Sequence, residues 1–412
     1  MRNLVTAGII AVLLVCAVSV GVAAESFFPI GIWYEGGVGA FRNNLIPDDP
    51  AAAALMYQKN FSDIAAHGLN AVVVPNTQPN HHKVLLDAAE ENKLKLIVEL
   101  DKEGGELGAM TRGTIAFSDE GLQKVFDTKL KPIMSHPALL GVQIIDEPQP
   151  PTFERYAKIV AALRAYAPKL QPFSCLIGSS DLEAFARTTK QGVAAFDYYP
   201  INSSVRLGDS KVMKNYDHLV ADACSAGVKT NTPIWAVVQA HTCGAERVPT
   251  PEETRCMTYI ALANGCKGIW WFMYQTELQA DGKAWMTGVV DKQFKARPLW
   301  DEIGDLSIQV KALVPIVSKL TPADGALNVI CSGVSHVLKD PDGRLYIAVV
   351  NTDTLAMRPV YIDVIAPDIA KAKFVEAVSG RECYNIEPLP TGGIRMTEII
   401  PAGGGEFIEV RR

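Results

Sequence analysis

The stretch HPALLGVQIIDEP, at positions 136–148, joins a short apolar run to two acidic residues and a proline. The run at 139–145 has the length and the branched residues of a strand that is buried on both faces, as in a parallel sheet. Pro148 has no N–H group to give to a hydrogen-bond ladder, so the strand should end beside Asp146 and Glu147. The stretch therefore predicts a buried strand with two carboxylates at its carboxyl end.

Seven further runs resemble this one, and each is separated from the next by enough chain for a helix and two loops. They lie at 28–34, 71–75, 94–100, 172–177, 193–199, 234–239 and 268–272. Short buried strands that alternate with amphipathic segments indicate parallel strands joined by crossover helices. Eight such units within about 250 residues predict an α/β fold of the (β/α)8 TIM-barrel type.

Two of the segments between or after the runs carry clear helix signals. The segment Thr250-Pro251-Glu252-Glu253 offers a capping threonine, a proline at the first helical position and a glutamate three residues after the cap. We therefore assign its glutamates to helix structure rather than to catalysis. A last barrel helix is predicted over 298–314, where apolar residues recur at mostly helical spacing.

The sequence changes character near residue 320. Alternating segments at 334–338, 345–350, 360–365 and 407–410 are separated by turn residues such as those at 341–343 and 403–405. Short strands without intervening helices predict a small antiparallel β-sandwich. We expect a barrel domain at 25–319 and a sandwich domain at 320–412.

The first 24 residues predict a signal peptide. Arg2 is the only charge before Glu25, and the apolar run ends in the small residues around Ala24. An uncleaved membrane anchor is the alternative, because the run is nearly long enough to span a bilayer. With cleavage before Glu25, the mature protein would be secreted, periplasmic or displayed on the cell surface, without stable insertion in a membrane.

Charge and cysteine usage exclude several classes of function. The 39 basic and 45 acidic residues give a net charge of −6, which leaves no basic face for nucleic acid. Cysteines beyond the leader lack CxxC spacing and form no framework, although Cys243 and Cys256 are a candidate disulfide pair. The His81-His82 pair and His241 lack partners at metal-ligand spacing. We expect neither a metal nor another cofactor.

The side chains that follow the runs should meet at one rim, because all strands of such a barrel point the same way. Aromatic faces stack on the apolar faces of pyranose rings, while carboxylates and amides form hydrogen bonds with sugar hydroxyls. The composition of the rim therefore predicts a sugar-binding cleft. Its candidate substrate-binding residues are Trp33, Glu35, Asn76, Asp101, Asp146, Tyr199, Gln239, Trp271 and Tyr274.

The stretch at 136–148 resembles the fourth strand of clan A glycoside hydrolases, which ends in Asn-Glu-Pro. It is similar above all to barrels of that superfamily that carry Asp-Glu-Pro instead. The segments at 233–239 and 249–268 resemble strands seven and eight of the same barrels, and the tail resembles a small β-domain often appended to them. The resemblance covers roughly residues 27 to 315. It implies that Glu147 is the general acid and that Asp146 contacts substrate.

The chain departs from this family at strand seven. Clan A enzymes place a nucleophilic glutamate where this sequence has Gln239, and an amide cannot attack an anomeric carbon. Asp197, Glu35 and Asp101 are the candidates for a second carboxylate. We favour Asp197 as the second catalytic residue, because strand six lies two strands from strand four. A widely spaced pair of carboxylates predicts inversion of the anomeric configuration.

These features favour a secreted hydrolase of O-glycosidic bonds in an oligosaccharide or polysaccharide. A non-catalytic carbohydrate-binding barrel that lost the strand-seven nucleophile is the alternative. A structural barrel within a larger cell-surface assembly is a third hypothesis. Glycan binding without hydrolysis would select the second, and the absence of both would favour the third. The sequence leaves the sugar and the oligomeric state open.

Overall fold

The computed structural model describes residues 27–35, 42–43, 46–244, 247–279, 282–390 and 392–412. Within them, a ring of parallel strands forms the core. Its strands are β1 (Ile30–Trp33), β2 (Ala71–Val74), β3 (Lys95–Glu99), β4 (Leu139–Gln143), β5 (Gln171–Phe173 and Cys175–Ile177), β6 (Ala194–Asp197), β7 (Ile234–Gln239) and β8 (Ile269–Phe272). β8 pairs with β1, and the two halves of β5 pair with β4 and β6 respectively. The predicted barrel is confirmed.

Helices surround the ring. They are α1 (Pro50–Ala66), α2 (His82–Glu91), α3 (Gly105–Arg112), α4 (Asp119–Val125), α5 (Phe153–Tyr166), α6 (Leu182–Thr189), α7 (Ser210–Thr230), α8 (Pro251–Ala263) and α9 (Pro298–Val317). The predicted capping box is confirmed at the start of α8, where Thr250 and Glu253 cap each other's main-chain N–H groups. α9 ends three residues after its predicted end.

Large aromatic side chains fill the inside of the barrel. Trp33, Phe173, Trp235 and Trp270 are all buried there, with ring centroids about 6 Å apart in successive pairs. Gly31 makes room for one of them, because a Cβ atom there would lie 2.3 Å from the Trp270 ring. The alternate side chains of each strand face outward and pack under the helices.

Two antiparallel sheets follow α9 and form the predicted β-sandwich. One contains Thr321–Pro322, Val334–Lys339, Leu345–Val350, Gly405–Arg411 and Lys373–Glu376, and the other contains Asn328–Cys331, Arg358–Ile365, Ile394–Ile400 and Ile386–Pro388. The sandwich packs on α8. Gly403 lies so close to this helix that a Cβ atom would be 2.0 Å from the Glu252 carbonyl oxygen.

A third, small antiparallel sheet, the rim sheet, lies at the carboxyl ends of the barrel strands. Sequence analysis did not predict it. Loops that follow β1, β7 and β8 supply its strands, which are, in spatial order, Thr242–Cys243, Ala284–Thr287, Glu277–Gln279 and Arg42–Asn43. It adds a wall on one side of the barrel mouth.

The candidate disulfide between Cys243 and Cys256 is not formed. Cys243 lies in the rim sheet, whereas the Cys256 thiol on α8 contacts the Asn351 carbonyl of the sandwich. The closest thiols among the described cysteines are those of Cys224 and Cys266, whose sulfur atoms are 3.6 Å apart. The predicted signal peptide at 1–24 lies outside the described residues. Of the helices in the described part of the chain, none is long and apolar enough to cross a membrane.

Candidate active site

A pocket of about 550 Å³ opens at the carboxyl ends of the barrel strands. This is the end of the barrel at which the sequence placed the site. Among its walls are eleven polar, charged or sulfur-containing side chains: Glu35, Asn76, Glu99, Glu103, Arg112, Asp146, Glu147, Asp197, His241, Cys243 and Met286. Trp33, Pro75, Tyr199, Val237 and Phe272 complete it. Six carboxyl groups against one guanidinium make the pocket strongly acidic.

Glu147 occupies an unusual position just after β4. Its backbone has φ = 47°, a left-handed conformation that a side chain other than glycine adopts at some cost. Its N–H donates to the Cys175 carbonyl of β5 at 3.1 Å, which holds this turn against the neighbouring strand. The side chain is half-buried, and burial raises the pKa of its carboxyl. A carboxyl that keeps its proton at higher pH is suited to general acid catalysis.

Asp146 and Asp197 also line the pocket. Asp146 remains accessible to water in the pocket. The walls of the pocket nevertheless shield its carboxyl from bulk water, and Glu147 and Asp197 repel its negative charge. Both effects, the shielding first, hold the pKa of this carboxyl well above the usual range. Asp197, at the end of β6, is buried and accepts a hydrogen bond from the Tyr199 hydroxyl at 3.2 Å. The carboxylates from β4 and β6 therefore share one cavity.

Asn76 connects two more carboxyl groups on the other side of the pocket. Its N–H donates to Glu99 at 2.7 Å, and its side-chain Nδ2 donates to Glu35 at 2.9 Å. Asn76 has φ = 55°, which aims both donors at the carboxyl groups from one residue. Gln275 donates to the Glu35 carbonyl and fixes that residue from the strand-eight side.

Glu99 is a pocket residue that sequence analysis did not select, although it ends β3. It is 3% exposed, and burial, opposed by the Asn76 hydrogen bond, raises the pKa of its carboxyl to about 8. Its neighbour Glu35 raises that pKa further. The available signal was its position at the end of the predicted strand. Its inward face, which it shares with Ile97 two residues earlier, is visible only in the folded barrel.

We predict that Glu99→Gln makes the protein progressively more stable than the wild type as pH rises from 5 to 8. A carboxyl with a raised pKa in the folded state stabilises fully below its unfolded pKa, near 4.5, and this contribution is lost as pH rises toward 8. An amide removes that titration. The difference in Tm should grow by roughly 3–6 °C across this range.

Thermal unfolding at several pH values measures this difference. Glu120→Gln, at an exposed position of α4, is the matched control and should show a constant difference. A Glu99→Gln curve parallel to the wild-type curve would contradict the prediction.

Aromatic rings form a wall beside the carboxylates. Phe272 stacks on Tyr199 with ring centroids 5.7 Å apart, and His241 contacts both rings edge-on at 4.7 and 4.5 Å. The ring centroids of Trp33 and Phe272 are 6.0 Å apart. Sequence analysis selected Trp33 and Tyr199 but missed Phe272 and His241. A wall of this kind offers apolar faces to a sugar ring.

The structure does not place two of the predicted substrate-binding aromatics, Trp271 and Tyr274, in the pocket. Trp271 faces outward, is fully buried and donates through Nε1 to Thr258 on α8 at 3.3 Å. The Tyr274 hydroxyl donates to Asp63 of α1 at 2.8 Å. Both rings belong to the layer between strands and helices. Alternation along β8 places Trp271 on the outer face, whereas Tyr274 lies beyond the end of β8 and packs against Tyr34 and Trp300.

Asp101 and Gln239 were also predicted to bind substrate, and neither lines the pocket. Asp101 caps Lys102 at 2.8 Å and forms an ion pair with Lys129. Gln239 is fully buried and forms two hydrogen bonds with the backbone of Ile201. Its Oε1 accepts from the Ile201 N–H at 2.9 Å, and its Nε2 donates to the Ile201 carbonyl at 2.8 Å. Each side chain is therefore committed to a structural contact.

The described residues contain no group of three or more His, Cys, Asp or Glu side chains placed to hold a metal ion. The two adjacent histidines have structural contacts. His82 donates to the main-chain carbonyl of Glu99 at 2.9 Å, and His81 contacts the Tyr57 hydroxyl at 3.0 Å. His82 thus supports the strand end that carries Glu99.

Comparison with known proteins supports the fold. No family model matches the sequence. No curated protein matches it either. A solved glycoside hydrolase is 11% identical, with 93% of this chain and 92% of the other covered at a TM-score of 0.61. A glycoside hydrolase family 5 protein from Bacteroides vulgatus is 13% identical, with coverages of 93% and 89% and a TM-score of 0.60.

A β-galactosidase from the psychrophilic Marinomonas ef1 also aligns, at 12% identity and a TM-score of 0.50. It matches 69% of this chain and 60% of its own length. At such low identities these similarities establish the architecture alone. The chain therefore has the barrel and β-domain fold that is found in solved glycoside hydrolases.

Proposed function

We propose that this protein hydrolyses O-glycosidic bonds of an oligosaccharide or polysaccharide, with Glu147 as the general acid and without a cofactor. The observation that carries the proposal is the position of Glu147. It is a half-buried carboxyl with a raised pKa at the end of β4, in a pocket that combines further carboxylates with an aromatic wall. The clan A-like motif at 146–148 and the fold of the solved neighbours agree with this assignment.

The mechanism begins with protonated Glu147. It donates its proton to the glycosidic oxygen as the bond to the anomeric carbon breaks, which leaves the carboxylate. Asp197 accepts a proton from the water that attacks the opposite face of the sugar. The Tyr199 hydroxyl, which donates to Asp197, orients that carboxylate. Asp146, Asn76 and the aromatic wall hold the sugar ring in place.

This assignment predicts inversion of the anomeric configuration. A water molecule between the acid and the base requires carboxyl groups about 6.5–9.5 Å apart, whereas a covalent route requires about 5 Å. NMR of the first-formed sugar reads the outcome directly. A product with retained configuration would refute the water route and direct attention to Glu35.

A non-catalytic carbohydrate-binding barrel is the second candidate, and one observation favours it. Among the described residues, β7 and its following loop contribute Val237, His241 and Cys243 to the pocket, but no carboxylate. The strand therefore lacks the nucleophile of the clan. A panel of purified polysaccharides, assayed for both binding and released reducing ends, separates the two functions.

We further propose that the protein acts outside the cytoplasm, as residues 25–412 after cleavage of the signal peptide. The barrel at 25–319 and the sandwich at 320–412 would be exported together. The charge and hydropathy of residues 1–24 support this proposal. N-terminal sequencing of exported protein should begin at or near Glu25, and recovery of Met1 from a membrane fraction would contradict it.

A further inference from the structure

One side chain of the rim sheet differs from every other tryptophan in the protein. All six tryptophans lie in the described residues, and five of them are at most 5% exposed. Trp285 is 45% exposed. Single exposed apolar residues are common on protein surfaces, so the exposure of Trp285 gains its meaning from where its strand lies.

The strand that carries Trp285 contains a β-bulge at that residue. Met286 pairs with Glu277, while Ala284 pairs with Leu278, so that Trp285 is an extra residue with no partner opposite it. Bulges of this type redirect a side chain and occur frequently beside functional sites. The bulge therefore turns Trp285 out of the regular alternation of its sheet.

The bulge lies at the edge of the pocket. Met286, the next residue, lines the pocket, and so does Cys243, which is its partner on the neighbouring strand. Consecutive Cα atoms are about 3.8 Å apart, so the indole ring starts within one residue of the pocket wall. A substrate that extends beyond the pocket on this side passes the rim sheet.

We propose that Trp285 forms a second sugar-binding position, on which a neutral pyranose unit of the substrate stacks outside the pocket. This inference rests on the proposed function, because it concerns the part of the same glycan that the pocket does not enclose. The indole face is planar and apolar, and it matches the apolar face of a pyranose ring. Trp285 therefore selects for chain length rather than for the bond that is cleaved.

Trp285→Ala in the full mature chain tests this position. The probes are oligosaccharides of two to six units from the glycan that the wild type hydrolyses or binds in the panel, and the aryl monoglycoside of the same sugar. We expect KM for the longer oligosaccharides to rise about 10-fold, which corresponds to one stacking contact. The kcat value should stay unchanged, and the aryl monoglycoside should be processed as in the wild type.

Two further variants strengthen the comparison. Trp285→Phe keeps an aromatic face and should restore most of the affinity. Tyr384→Ala removes a still more exposed ring from the sandwich, at a residue that is 76% exposed, and should leave all values unchanged. Titration of intrinsic fluorescence adds a readout that is independent of turnover. Trp33 in the pocket reports short and long oligosaccharides alike, so only the additional spectral change that long oligosaccharides cause should disappear in Trp285→Ala.

The outcomes separate this inference from the proposed function. If the wild type hydrolyses the glycan and Trp285→Ala has the same KM values as the wild type on both short and long substrates, the sugar-binding position is overturned and the hydrolase remains intact. Binding without hydrolysis refutes the proposed hydrolase activity, while a selective loss of long-chain binding in Trp285→Ala still supports the position. If the wild type neither binds nor hydrolyses any glycan of the panel, both are overturned.

Discussion

Glu147→Gln is expected to lower turnover of a natural glycan by about 10²- to 10⁴-fold, which is the usual contribution of a general acid. The amide has nearly the same shape but carries no proton to deliver to the leaving oxygen. Binding should survive, because the pocket and its aromatic wall remain. Steady-state kinetics and a separate binding titration measure the two quantities.

Substrates that differ in leaving group make this test specific. An aryl glycoside with a good leaving group needs little protonation, so it should lose far less activity than the natural glycan. Glu154→Gln, at an exposed position in the first turn of α5, is the matched control and should behave as the wild type. Near-normal activity of Glu147→Gln on the natural glycan would show that the assignment is wrong.

The raised pKa of Glu147 sets the expected pH dependence. Burial favours the protonated form, so the acid remains competent to a higher pH than an exposed glutamate. Activity should fall as pH rises through that pKa.

Gln239→Glu is expected to destabilise the protein at pH 7 without creating retaining activity. The Ile201 carbonyl, which accepts from the amide at 2.8 Å, would face a carboxyl oxygen. The new carboxyl can keep this contact only in its protonated form, and holding that proton at pH 7 costs about 3–4 kcal/mol. The apparent Tm should therefore fall by roughly 3–6 °C.

The pH dependence distinguishes this cause from a general packing defect. The new carboxyl would have a raised pKa in the folded state, so the loss of stability should shrink as pH falls toward 5. Gln293→Glu, at an exposed position, is the matched control and should change Tm little at either pH. A stable Gln239→Glu variant with new hydrolytic activity would restore the nucleophile hypothesis and overturn the structural role given to Gln239.

Local sequence pattern predicted much of the architecture. The run at 139–145 became β4 (Leu139–Gln143), and the run at 234–239 became β7 with the same bounds. The capping box at Thr250 was predicted residue by residue. These features depend on side chains within a few positions of each other, which a sequence displays directly.

The inner or outer face of a strand was not predictable in the same way. Trp270 and Trp271 are adjacent and chemically identical. The sequence therefore shows that they face opposite sides of β8, but not which of them faces the inside of the barrel. Only the assembled barrel shows that Trp270 and Phe272 face inward and that Trp271 faces α8. The pairing register of β8 with β7 and β1 decides which of its side chains face inward.

Contacts between distant segments decided the rest. Asp101 forms an ion pair with Lys129, 28 positions away, and Gln239 forms hydrogen bonds with Ile201, 38 positions away. The rim sheet that presents Trp285 combines three loops. The sequence by itself determined the eight-strand barrel, the sandwich and the acidic end of β4, because each follows from local periodicity and turn chemistry. Tertiary structure decided which polar side chains reach the pocket, because that depends on hydrogen-bond and charge partners that only the folded chain brings together.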